Sequence, residues 1–178
     1  MTRHVTITLL TASLCALASG CGKDSNSPAA PVTETFRATM NGANERPTAR
    51  TTPATGTADF TLRRDTLYWV EVLSNATNVT ASHIHIGGPD VAGGILLPLT
   101  PGTTGVNNTR IAGFITRTGF VAPASPNQAI TFDNLLDMMR SGGVYVNVHS
   151  NNTANDPTNN TGPGDFPAGE IRGQVVKL

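Results

Sequence analysis

The chain has 178 residues, with 12 Lys+Arg balancing 12 Asp+Glu and a formal charge of zero. That length is enough for one domain, and a neutral chain lacks the electrostatic footprint of a nucleic-acid binder or of a protein drawn to an acidic membrane surface. Hydrophobic residues make up 38%, and 18 Gly with 12 Pro stay below the Pro+Gly share of roughly 25–30% at which disorder becomes the default, so a packed core is expected.

Arg3 and His4 precede an uncharged stretch over residues 5–18, the order of a secretory signal and too short for a comfortable membrane span. It ends in Leu17-Ala18-Ser19-Gly20-Cys21, which resembles the lipobox of bacterial lipoproteins. The resemblance implies that residues 1–21 form a signal ending at a lipidated Cys21, that Cys21 anchors the chain to a membrane, and that the domain faces the periplasm or the exterior. Gly22 after the cysteine favours the outer membrane by likeness to enteric sorting rules. The alternative is an ordinary signal peptide cut nearby, leaving one free thiol. Cys15 lies within the signal, so no disulfide or zinc knuckle is expected. Residues 22–35, built of Gly, Ser, Asn, Pro, Ala and Thr with few charges, read as a flexible tether with a reach of up to about 45 Å.

The folded domain is expected over residues 36–178, where short alternating runs are separated by Gly, Pro, Asn and Thr clusters, an all-β signature. Strands are expected at 36–40, 57–63, 67–73, 81–86, 95–99, 110–117, 144–149 and 171–176, with a tight turn at Arg64-Asp65. Ala58, Phe60 and Leu62 share one face. The run 67–73 is apolar on both faces apart from Glu71, as in a strand between layers. One helix interrupts the strands: Thr131 or Asp133 caps it, Phe132, Leu135, Leu136 and Met139 line one side, and Gly142 stops it. At this length the elements suit an antiparallel β-sandwich of about seven or eight strands, plugged at one end by the helix.

Strand alternation also sorts the polar residues. In Ser82-His83-Ile84-His85-Ile86 the isoleucines choose the core, which sends His83 and His85 to the other face about 6.5–7 Å apart. The same rule puts Tyr145, Asn147 and His149 opposite Val144, Val146 and Val148, and Glu170, Arg172 and Gln174 opposite Ile171 and Val175. Three imidazoles, with Glu170 as a possible fourth ligand, suit a mononuclear zinc or copper(II) site. The competing reading is a hydrogen-bonded network of His83, His85, Tyr145, Asn147, Glu170, Arg172 and Gln174, in which Arg172 neutralises Glu170. No catalytic template is completed. Ser82 and Ser150 point away from their neighbouring histidines, and no Gly-rich phosphate loop opens a helix. Glu45, beside Pro47, reads as a turn residue that could approach the histidine face.

Asn41-Gly42-Ala43-Asn44-Glu45-Arg46-Pro47, Gly56, His83-Ile84-His85-Ile86-Gly87, Gly143-Val144-Tyr145-Val146-Asn147-Val148-His149 and Phe166-Pro167-Ala168-Gly169-Glu170-Ile171-Arg172-Gly173-Gln174 together resemble the chordin (CHRD) domain. The resemblance implies a β-sandwich of immunoglobulin-like or superoxide-dismutase-like Greek-key type and an extracytoplasmic role as a non-catalytic binding or structural module, with an envelope or extracellular protein as partner. The cysteine-rich modules that bind growth factor in animal chordin are missing, so that activity does not carry over. The loop from Ser150 to Asp165 is longer than is usual there; it reads as a solvated insertion, a lid over the histidine face, or a weak calcium site through Asp156 and Asp165. A His-x-His strand with a distant His also resembles the start of a copper/zinc superoxide dismutase site, although three histidines cannot build its dinuclear centre.

Overall fold

The computed structural model describes residues 33–100, 105–123, 130–152 and 160–178. The signal segment, Cys21, nearly all of the tether, and Asp156 lie outside the described residues. Among the described residues, eight strands form one continuous antiparallel sheet: β1 (Thr33–Asn41), β2 (Thr55–Arg63), β3 (Thr66–Ser74), β4 (Val79–Ile86), β5 (Ile95–Pro98), β6 (Arg110–Thr116), β7 (Val144–Ser150) and β8 (Ile171–Lys177). The order across it is β5-β4-β7-β8-β1-β2-β3-β6. The all-β class therefore holds, and the first strand starts at Thr33, inside the segment expected to be tether.

The layers expected of a sandwich are joined. β1 pairs with β2 on one side and with β8 on the other, so the sheet curls over its own core instead of splitting in two. Alternation supplies that core. Phe36, Ala38 and Met40 of β1, Ala58, Phe60 and Leu62 of β2, and Val144, Val146 and Val148 of β7 are all buried and belong to one cluster. Each large aliphatic or aromatic side chain taken from water there contributes about 1.5–3 kcal/mol before entropy is counted.

β3 departs from its expected role. Leu67, Trp69 and Leu73 face the core, but Tyr68 and Val72 are exposed, so the strand is covered on one side only. Glu71 shares parity with Leu67, Trp69 and Leu73 and is buried with them. Its carboxylate accepts from Ser82 Oγ of β4 at 2.9 Å, and burial, opposed by that bond, pushes its pKa up to about 7. Trp69 Nε1 donates to Leu99 O at 3.2 Å. These two bonds tie β3 to β4 and to the chain just after β5, strands that the sheet order keeps far apart.

The helix α1 (Phe132–Ser141) forms where expected. Thr131 accepts from Asn134 N, Gly142 takes the left-handed stop, and Phe132, Leu135, Leu136 and Met139 are buried. Arg140 and Lys177 both bind Glu34, at 2.6 and 2.8 Å, tying α1 to β1 and β8, and their hydrogen bonds draw the Glu34 carboxyl down to about 2.

Candidate metal centre

The site begins with strand pairing. β4 and β7 are neighbours, and their register sets Ala81 opposite His149, His83 opposite Asn147 and His85 opposite Tyr145. β7 in turn sets Asn147 opposite Arg172 and Tyr145 opposite Gln174 on β8. Because side chains alternate, His83, His85, Tyr145, Asn147, His149, Arg172 and Gln174 fall on the side of the sheet away from the core. His83, His85 and His149 therefore converge, with ring centroids 5.0 to 5.8 Å apart. One ligand nitrogen from each lies within 4.8 Å of the other two. A tetrahedral ion with Zn–N of about 2.0–2.1 Å needs nitrogens roughly 3.4 Å apart, so side-chain shifts of about an ångström complete the geometry.

The rings are aimed. His85 Nδ1 lies 2.9 Å from Gly93 O and His149 Nδ1 lies 2.9 Å from Pro167 O. A carbonyl oxygen only accepts, so each Nδ1 carries the proton and each Nε2 is left with a free electron pair. Both Nε2 atoms are buried and find no hydrogen-bond partner among the described residues, as is the case for Nδ1 of His83. This is how a metal-binding imidazole is oriented from behind. Burial disfavours the charged form of all three. It takes His83 down to about 4, with the neighbouring His149 and His85 adding to the effect. His85 and His149 are lowered by burial against the opposing pull of the Gly93 and Pro167 carbonyls. Neutral rings are the form that binds metal.

Loops cover this face. His85 stacks on Tyr145 at 5.1 Å, and the Arg172 guanidinium lies 3.4 Å over the same tyrosine ring. Tyr145 Oη accepts from Gly93 N at 3.0 Å, and Arg172 Nη2 donates to Gly88 O at 2.7 Å. Gln174 Nε2 donates to the carbonyls of Gly87, Gly142 and Val144. Asn147 Nδ2 donates to Glu45 Oε1 at 2.5 Å. Glu45 is buried, and desolvation, opposed first by the Asn147 bond and then by Arg172 and Arg50, pushes its carboxyl up to about 7. Gly93 must be glycine: a Cβ there would sit 1.8 Å from Ile86 O.

Several expectations are redirected. The three histidines come together as alternation implies, but Glu170 does not join them. Its carboxylate accepts from Thr52 Oγ1 at 2.5 Å and Gly164 N at 3.1 Å, and among the described residues no ion pair links it to Arg172. The reason is its place one residue before β8, where the chain turns toward the loop at 164. The polar face is not an open surface, since Tyr145, Asn147 and Arg172 are buried. The network reading holds in part: among the described residues His85, His149, Tyr145, Arg172 and Gln174 do bond to loop backbone, but no ion pair joins Glu170 to Arg172. Asp165 is used in its own turn, where Thr161 N and Oγ1 donate to it at 2.9 and 2.6 Å. Glu45 does reach the polar face, through Asn147. The carbonyls of Gly93 and Pro167 escaped the sequence reading because backbone acceptors carry no residue-type signal; the Gly93-Gly94 pair was the one hint.

No curated protein matches the chain, and no solved structure matches it. The family model described as CHRD domain matches residues 36–156, from within β1 through β7 with His83, His85 and His149, and stops short of Phe166 to Gln174. Membership supports a binding or structural module and assigns no reaction. With that match covering most of its length, the chain belongs to the CHRD-domain family.

Proposed function

We propose that the domain is a binding module whose ligand is a zinc or copper(II) ion held by His83, His85 and His149. The observation that carries this reading is the pair of buried Nε2 electron pairs on His85 and His149, each without a partner among the described residues and each turned inward by a backbone carbonyl on the opposite side of its ring. Leaving such an atom unsatisfied costs roughly 1–3 kcal/mol, and several in one place favour an occupant that accepts their electron pairs. Neutral imidazole suits both metals, and no thiolate stands among the donors to favour copper(I). Partner docking through the polar face has less support, because Tyr145, Asn147 and Arg172 lie under loops.

Calorimetric titration and metal analysis of the purified protein test the reading. One equivalent of metal is expected, with His85→Ala and His149→Ala each weakening binding at least about 100-fold. Saturating zinc, at a hundredfold excess over Kd, is expected to raise stability by about 2.7 kcal/mol. Absence of stoichiometric metal, with stability indifferent to a chelator, refutes it. Superoxide turnover by the copper-loaded protein tests whether the ion serves redox chemistry or only metal handling. Anchoring at Cys21 is a separate part of the proposal: it places the site outside the cytoplasm, and Cys21→Ser is expected to move the protein from the membrane to the soluble fraction.

A further inference from the structure

We infer that a metal ion bound by these three histidines keeps its fourth position for a small anion taken from solution, such as hydroxide, a halide or a carboxylate. The inference rests on the three-histidine reading above. Donor count is the first support. Among the described residues only His83, His85 and His149 bring ligand atoms together, and the carboxylates that could complete the set are committed elsewhere, Glu170 to Thr52 and Gly164 and Asp165 to Thr161. Three protein ligands leave zinc or copper one coordination position short, the pattern of centres that exchange ligands and not of closed structural ones.

Charge is the second support. Three neutral imidazoles give a dication no compensation, and an unpaired charge held away from water is strongly disfavoured. Glu45, the carboxyl that Asn147 brings to this face, is already engaged by that amide, with Arg172 and Arg50 beside it. An anion at the fourth position supplies the missing negative charge. Access is the third: the unpartnered ring nitrogens are buried, but His83 and His149 keep more accessible surface than His85, so an anion would enter past those two rings.

The test uses cobalt(II), whose visible absorption reports its coordination, titrated into the full-length protein, followed by azide. The expected result is cobalt uptake and a saturable azide-dependent shift of the bands, displaced competitively by chloride or acetate. Cobalt uptake with bands indifferent to azide overturns the open position while leaving the three-histidine site standing. Failure of cobalt, zinc and copper to bind overturns both. Glu170→Gln is expected to leave the azide response as it is in the parent protein. A response that appears only in that variant means that the Glu170 carboxylate closes the site, which also overturns the proposal.

Discussion

On β1, β2 and β3 the side chains that point away from the core meet water, whereas on β4, β7 and β8 several of them, His85, Tyr145, Asn147 and Arg172, are buried. Tyr68 and Val72 are each 44% exposed, and Arg37 meets Asp59 at 2.6 Å with both side chains more than 40% exposed. Across the same sheet His85 is 8% exposed, Asn147 3% and Arg172 1%. Strand alternation treats the two halves alike. What differs is that the loops carrying Glu45, Gly88, Gly93 and Pro167 close over one half. Charged and polar residues on the open half stay solvated and interact weakly. Under the loops the same kinds of group lose water, the imidazoles are held neutral, and a carboxyl is pushed toward neutral pH.

Arg172→Ala should break this contrast most severely. It removes a buried cation that holds Gly88 and lies over Tyr145, for an expected loss of about 3–5 kcal/mol in urea-unfolding experiments, the sum of a charge-assisted hydrogen bond and a desolvated cation–π contact. Gly93→Ala comes next. The new methyl collides with Ile86 O, so the loop that orients His85 must move; a stability loss of about 1–3 kcal/mol is expected, together with at least about tenfold weaker metal binding.

Glu45→Gln sharpens the comparison through pH. The folded protein holds the Glu45 proton more tightly than the unfolded chain, with the pKa raised from 4.5 to about 7. Its contribution is therefore fully present below about pH 4.5 and is lost as pH rises through about 7. Without added metal, the parent protein should lose on the order of 1–3 kcal/mol more than Glu45→Gln does between pH 5 and pH 8, read from urea midpoints at each pH. Equal losses in the two proteins would show that the covered face does not desolvate this carboxyl. The smallest effect belongs to the open half, where Arg37→Ala is expected to change stability by no more than about 1 kcal/mol, and by less in high salt.

Much of the architecture was legible because it depends on local pattern. All eight strands and the helix overlap the spans that periodicity and caps predict, with β1 reaching back to Thr33 and β4 to Val79, and Thr131 and Gly142 stand at the helix ends. The errors came from parity read too loosely. Glu71 has the parity of Leu67, Trp69 and Leu73, and that alone places it in the core; treating the strand as apolar on both faces hid this. At the site, alternation put the three imidazoles on one face but could not say that β4 and β7 pair, nor that β7 sits beside β8. Glu170 was misjudged for a related reason. It precedes β8 by one residue, so strand parity did not govern where its side chain went.

By itself, the sequence determined which residues turn inward and which turn away, since a period of two and the preference of aliphatic side chains for the core are local properties of the chain. Only the tertiary structure decided that the outward histidines meet, that Gly93 and Pro167 aim two of them, and that loops shut out the water. Those are contacts between segments far apart along the chain. They depend on which strands pair and how loops fall across them, and no stretch of residues carries that information alone.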